Sequence, residues 1–304
     1  MSAASAKPAI ETFGLGKRYA KGDKFALRKL NITIMPGEVY GFLGPNGAGK
    51  STTIRLLMNF IQPTEGHAHI HGLNIVKDSV EIKKSVGYLP GEFAFYPNMT
   101  GRQFLEYMSE LQPPKRKSHK DRLARLFDVP LGRKLNALSK GNRQKIAVIQ
   151  AFMSEPDVLI LDEPTSGLDP LMQEVFFDQV RQAKEKGATV FFSSHNLNEV
   201  QKICDRVGFI RDGEMIAEQT IGQLTKNAAQ TYHISFATKA PVADLRRLRG
   251  IKLTANTPHH VTVKVRGDLR QLFSLLSKCQ VNAIDREEID LEEEFLRYYK
   301  GGSK

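Results

Sequence analysis

The 304-residue sequence predicts a layered α/β domain followed by a smaller α+β domain, and three observations carry that expectation. Over the first two thirds, short apolar runs alternate with stretches of helical spacing, the pattern of strands covered by helices. A glycine-rich turn, Gly44 to Thr52, sits between one such run and one such helix. After Thr220 the pattern starts afresh with a different order of elements.

Taken in order, Ile32–Ile34 and Val39–Leu43 read as strands joined by a turn at Pro36-Gly37. A helix follows from Gly49 to about Phe60, and His67–Ile70 reads as a further strand. Between Thr100 and Phe152 helices take over: Phe104, Leu105 and Met108 recur at helical spacing, as do Leu123, Leu126 and Phe127. Pro113-Pro114 and a basic run from Lys115 to Arg125 punctuate this insert. Strands return at Val158–Leu161, Thr189–Ser193 and Val207–Ile210, with Gly213 marking a hairpin turn before Met215–Ala217.

The second domain reads as strand Tyr232–Phe236, helix Val242–Leu248 and strands Ile251–Thr254 and Val261–Val265. Helix Leu269–Leu276, strand Val281–Ile284 and a closing helix Leu291–Tyr299 complete it. That order is the ferredoxin-like split βαβ arrangement. The expected boundaries are residues 8–220, with a helical part at about 92–153, and residues 228–300.

Composition narrows the function classes. A hydrophobic content of 41% and a charged content of 25% are ordinary for a soluble globular chain. No stretch reaches the roughly 18 consecutive apolar residues of a membrane span, so work at a membrane needs a second chain as anchor. Met1 to Ile10 has no apolar core of a secretory signal. Cys204 and Cys279 are far apart and form no metal-ligand pair, as expected of free thiols in a reducing cytosol. The net charge of +11 suits a nucleic acid, an anionic membrane surface or a phosphate-handling protein, and decides nothing alone.

The chemistry begins at Gly44-Pro45-Asn46-Gly47-Ala48-Gly49-Lys50-Ser51-Thr52, which fits G-x-x-x-x-G-K-[ST] between strand and helix. Such glycines let backbone N–H groups turn inward around phosphate oxygens, and the helix N-terminus adds a positive dipole end. Lys50 is expected to reach the β- and γ-phosphates, and the Ser51 hydroxyl to ligate Mg²⁺. The second half is Val158-Leu159-Ile160-Leu161-Asp162-Glu163, a buried strand delivering Asp162 to the metal and Glu163 to an attacking water. Alone, an apolar run ending in acid is often a strand meeting solvent; paired with the cradle it is a site.

With these residues the sequence resembles the nucleotide-binding subunits of ABC transporters, from about Ile10 to Thr220. Leu138-Ser139-Lys140-Gly141-Asn142 resembles the family's signature loop at a helix start, and Ser166-Gly167-Leu168-Asp169 its D-loop. Ser194-His195 resembles the switch histidine, and Tyr19 sits where the family has an aromatic that stacks on adenine. Taken singly, Tyr19 reads as a half-buried strand aromatic, His195 as a loop histidine and Asp169 as a helix cap. The constellation, in order and spacing, outweighs those readings.

The resemblance implies an ATPase with ATP and Mg²⁺ as ligands, working at the cytoplasmic face of the plasma membrane. It implies two partners: an integral membrane permease subunit and a second nucleotide-binding subunit, a homodimer. Ser139 and the Gly141 backbone would then hold the γ-phosphate of ATP bound on the other copy, because the family packs head to tail. No nucleic-acid partner is expected. The rival readings are an ABC ATPase acting on nucleic acid or ribosomes and a regulatory module that has stopped hydrolysing.

Two departures stand out. The signature reads Ser-Lys-Gly-Asn where the common form is Ser-Gly-Gly-Gln. After Tyr88-Leu89-Pro90 the family's glutamine is replaced by Gly91, with Glu92 next. Glu92 is expected to take over part of the glutamine's role toward Mg²⁺, since carboxylates coordinate it directly or through water; a solvated loop residue is the competing reading. These variants resemble ABC-2-type exporter ATPases, and the tail Asp290 to Tyr299 resembles the end of an accessory domain common there.

Other features read as structure. His67, His69 and His71 alternate along a predicted strand, but same-face neighbours on one strand rarely converge on one tetrahedral metal. The basic run Lys115–Arg125 reads as a solvated helix face without the interleaved aromatics of single-strand binding. Docking of the membrane subunit is expected around Phe93 to Met108, with Phe93, Phe95 and Tyr96 as anchors.

Overall fold

The computed structural model describes residues 7–19, 25–92, 96, 98–112, 115, 118–227, 230–266 and 268–287. The chain divides into two units, Met1–Glu218 and Gln219–Lys304.

The first unit begins with β1 (Ile10–Lys17), β2 (Leu27–Leu30), β3 (Thr33–Ile34), β4 (Val39–Leu43) and α1 (Lys50–Leu57). Next come β5 (Glu65–Ile70), β6 (Leu73–Asn74), α2 (Ser79–Ser85) and β7 (Val86–Leu89). The helical segment holds α3 (Gly101–Leu111), α4 (Ser118–Leu126) and α5 (Lys140–Phe152). Then follow β8 (Val158–Asp162), α6 (Pro170–Glu185), β9 (Thr189–Ser194), α7 (Leu197–Ile203), β10 (Arg206–Arg211) and β11 (Glu214–Thr220).

The central sheet has the order β11-β10-β4-β9-β8-β7, and its pairings from β10 through β7 are parallel. Every residue of β4, β8 and β9 is buried, as a parallel sheet covered on both faces requires. Phe42 packs tilted against Phe191 at 5.3 Å between ring centroids, and Phe176 against Phe192 at 6.4 Å. Each such fully buried ring contributes about 2–3 kcal/mol through removal from water. Register matters most for the site. Leu43 pairs with Ser194 and Asp162 with Ser193, so the carboxyl ends of β4, β8 and β9 lie side by side. Parallel sheets bind ligands at that edge.

A separate sheet runs β2-β1-β5-β6, with β3 also on β1. Of the three alternating histidines, only His67 and His69 lie on a strand. The strand ends at Ile70, and His71 stands beyond it with φ 50. His67 and His69 share the face with Phe13, whose ring stacks on His67 at 4.8 Å. No group of three His, Cys, Asp or Glu residues suited to a metal occurs among the described residues.

The basic run is also less solvated than its charge implies. His119 is buried, Arg122 donates to Gln179 Oε1 at 2.8 Å, and Lys115 pairs with Asp157 at 2.8 Å. Arg122 ties α4 to α6 and His119 is buried, while Lys115, ahead of the helix, stays exposed in its pair with Asp157. Of the expected docking anchors, Phe93 and Phe95 lie outside the described residues, while Tyr96 is exposed with its ring 5.8 Å from that of Tyr107. No helix among the described residues is long and apolar enough to cross a membrane.

The second unit holds α8 (Ile221–Asn227), β12 (Gln230–Phe236), α9 (Val242–Arg247), β13 (Ile251–Asn256), β14 (His260–Val265), α10 (Arg270–Leu276) and β15 (Val281–Arg286). Its sheet order is β13-β14-β12-β15 with antiparallel neighbours, the connectivity of a split βαβ. Ile234, Phe236, Val263, Leu245 and Leu272 form its core. The closing helix expected at Leu291–Tyr299 lies outside the described residues.

Candidate active site

The cradle is built by the turn between β4 and α1. Gly47 has φ 81 and Gly49 φ 112, a left-handed backbone that glycine alone adopts freely. A Cβ on Gly49 would also stand 2.7 Å from the Ala26 carbonyl oxygen, so close packing forbids a side chain there. The resulting pocket of about 170 Å³ is lined by Asn46, Gly47, Gly49, Lys50, Ser51, Thr52, Ala26 and Glu163. Lys50 is buried, and its ammonium donates to the carbonyls of Gly44 at 2.7 Å and Pro45 at 3.2 Å. A cleft of about 500 Å³ lies elsewhere, between α4 and α6, and contains none of the motif residues.

Glu163 follows β8 directly, two strands along the sheet from β4, and reaches this pocket past the end of β9. Its Oε1 lies 3.2 Å from Lys50 Nζ, and its Oε2 lies 3.0 Å from His195 Nδ1. The backbone is left-handed here, φ 46, a conformation costing a non-glycine residue on the order of 1–3 kcal/mol. It is held by the Glu163 N–H, which donates to the Ser193 carbonyl and to Ser193 Oγ, both at 3.2 Å. Asp162 accepts from Ser193 Oγ at 2.6 Å. One serine at the end of β9 therefore positions both acids.

Three further residues position the site. Ser193 is one. Glu199 on α7 accepts from Thr165 Oγ1 and from Ser194 Oγ, each at 2.7 Å, and so braces the loop after Glu163 against the residue preceding His195. Gln144 on α5 donates to the Pro164 carbonyl at 2.8 Å and ties the signature helix to the same loop. The serine pair before His195 was the visible signal; Glu199 and Gln144 had none, since their partners are distant in sequence.

Tyr19 stands beside the cradle, its hydroxyl 3.4 Å from Thr52 Oγ1 and its ring exposed. Gly91 lies against the acid edge: a Cβ there would be 3.3 Å from Asp162 Oδ2. Glu92 is exposed and makes no hydrogen bond or ion pair with another described residue. Tyr88 on β7 has its hydroxyl pKa pushed up to about 12, first by burial and then by the Asp162 charge. Ser139 caps α5, accepting from the Asn142 N–H at 3.2 Å, and is exposed. Neither Ser139 nor Gly141 lines the cradle pocket of its own chain.

The donor set fits the implied ligands. Left-handed glycine backbone lining the pocket, a buried ammonium and a helix N-terminus suit a polyphosphate. The Ser51 hydroxyl and the Asp162 carboxylate are the hard oxygen donors that Mg²⁺ selects.

Comparison with known proteins gives the same reading. The family model described as ABC transporter matches residues 27–166. The chain is 38% identical over 197 residues to the ABC transporter ATP-binding protein NatA of Bacillus subtilis, covering 63% of this chain and 80% of that protein. It is 36% identical to the bacitracin transport ATP-binding protein BcrA of Bacillus licheniformis, covering 71% of each. The linearmycin resistance ATP-binding protein LnrL of Bacillus subtilis is 30% identical over 295 residues, 91% of this chain and 92% of that protein. A solved structure described as the ATP binding subunit of an ABC transporter superposes with a TM-score of 0.66 at 27% identity, covering 72% of this chain and 92% of that one. A cassette solved in a dimeric, post-hydrolysis state with ADP and Pi shares the fold, with a TM-score of 0.63 at 24% identity and 70% and 98% of the two chains covered. On its cradle, its paired acids and these relatives, the chain belongs to the ABC transporter family as an ATP-binding, ATP-hydrolysing subunit.

Proposed function

We propose that the chain is the motor of an ABC-2-type exporter, working as a head-to-tail homodimer beneath a separate membrane permease at the cytoplasmic face of the plasma membrane. One observation carries the dimer: the signature residues Ser139 and Gly141 do not line the cradle pocket of their own chain. Donors from a second copy therefore complete the grip on the γ-phosphate, and a triphosphate's charge is neutralised only when both chains converge. Relatives described as bacitracin transport and linearmycin resistance proteins support the exporter reading.

In this reading Lys50 holds the β- and γ-phosphates, and the cradle N–H groups orient them in line with an attacking water. Glu163 accepts that water's proton, and His195 holds the Glu163 carboxylate in place through its 3.0 Å contact. Tyr19 receives the adenine. Mg²⁺, when bound, neutralises charge on the phosphate oxygens; Ser51 and Asp162 would hold it, with Glu92 contributing from the loop beside Gly91. Hydrolysis removes the shared γ-phosphate and separates the copies, which moves the permease between access states.

The test is affinity purification of the native complex from detergent extract. A copurifying chain with several apolar spans is expected. Salt-sensitive recovery of nucleic acid or ribosomes in its place would favour the rival reading and overturn this one.

A further inference from the structure

The signature loop differs from the common form at Lys140, and the structure shows where the stem of that side chain lies. Lys140 is the first residue of α5, directly after the capping Ser139. Its methylene stem lies over Gly167 of the neighbouring loop: a Cβ on Gly167 would stand 3.6 Å from both Lys140 Cγ and Cε. Beneath it the helix start presses on the same loop, since a Cβ on Gly141 would be 2.8 Å from the Gly167 carbonyl oxygen. The stem is thus laid along a second loop, while the ammonium is exposed and makes no hydrogen bond or ion pair with another described residue. The neighbouring cation is otherwise engaged, for Arg143 Nη1 turns back to the Leu138 carbonyl at 2.9 Å.

The other polar groups of the loop that carries Lys140 are donors as well. Ser139 Oγ accepts the Asn142 N–H, which leaves the Ser139 hydroxyl proton available to donate. The N–H groups of the first helical turn have no acceptor within the helix and carry the positive end of its dipole.

We infer that Lys140 is a phosphate-binding residue supplied in trans, adding a full positive charge to the grip that one copy's signature loop places on the γ-phosphate held in the other copy's cradle. The inference rests on the head-to-tail reading above. Its consequence is chemical selectivity: pairing is favoured by a terminal phosphate of high charge, discriminates ATP from ADP more sharply, and weakens as salt screens the contact.

The experiment measures pairing by sedimentation equilibrium in the Glu163→Gln background with Mg²⁺ and ATP, across a series of KCl concentrations. Three further variants in that background are Lys140→Gly, Lys140→Gln and Lys140→Arg, each checked for an unaltered melting temperature. Both neutral variants are expected to weaken ATP-dependent pairing roughly tenfold, as loss of a charge-assisted contact does, with a shallower salt dependence. Lys140→Arg is expected to restore both. Equal pairing constants and salt slopes for Lys140, Lys140→Gly and Lys140→Gln would overturn the inference and leave head-to-tail pairing standing. Failure of the Glu163→Gln parent itself to pair with ATP would overturn the reading beneath it.

Discussion

His195 Nδ1 lies 3.0 Å from Glu163 Oε2, and this contact joins the ends of two adjacent parallel strands. Because the other oxygen of Glu163 faces Lys50 at 3.2 Å, one carboxylate meets both the cradle and the switch loop. In the proposed mechanism this carboxylate is the base, and it takes a proton without leaving these partners.

Glu163→Gln keeps the shape of the side chain and removes its basicity. Turnover is expected to fall by roughly 10²–10⁴-fold, the usual worth of a positioned general base, while ATP binding persists. Steady-state phosphate release and equilibrium binding of a fluorescent ATP analogue check the two halves, with Lys50→Ala as the variant that loses binding.

Ser193→Ala deletes the hydroxyl that donates to Asp162 at 2.6 Å and accepts from the Glu163 N–H. Loss of a group that orients a metal ligand costs about 10–100-fold in metal affinity. The Mg²⁺ concentration for half-maximal turnover is expected to rise by that factor; an unchanged Mg²⁺ titration would remove Ser193 from this role.

Glu92, whose carboxylate has no hydrogen-bond or ion-pair partner among the described residues, is one residue from Gly91, which itself lies against Asp162. Glu92→Ala is expected to raise the Mg²⁺ requirement about threefold to tenfold. If Mg²⁺ dependence and maximal rate both stay the same, Glu92 is a solvated loop residue and the family's glutamine has no substitute here.

Tyr88 predicts an alkaline effect. The folded chain keeps its phenol proton up to about 12, through burial and then the Asp162 charge. The unfolded chain releases the proton near ~10. The folded state thus binds more protons in that window, so stability is full below the lower value and drains as pH rises through the upper one. Denaturant midpoints at rising pH should fall less steeply for Tyr88→Phe than for the parent.

The cradle was legible because its glycines, lysine and serine act within nine consecutive residues, and the acids because a buried strand ends on them. The fully buried strands β4, β8 and β9 announced themselves as apolar runs. Other elements gave weaker signals. Strand β1 carries two glycines and the exposed Phe13, which break its alternation, and α2 buries only Ile82. The strand end at Ile70 was legible, and the turn at His71 and Gly72, with φ 50 and 77, takes His71 off the strand. Burial of His119 and the Arg122–Gln179 bond depend on α6, about fifty residues downstream, and no local pattern encodes them. The contact of Glu163 with Lys50 and His195 is likewise a product of strand order, visible only once β4, β8 and β9 are neighbours.

The most direct measurement uses cysteines at Ser139 and Asn46 on separate copies, in a Glu163→Gln chain with Cys204→Ala and Cys279→Ser. With Mg²⁺ and ATP, oxidation should give an inter-chain disulfide between the two positions, and with ADP it should give none. No inter-chain product with ATP, or the same yield with either nucleotide, would contradict a nucleotide clamped between two copies.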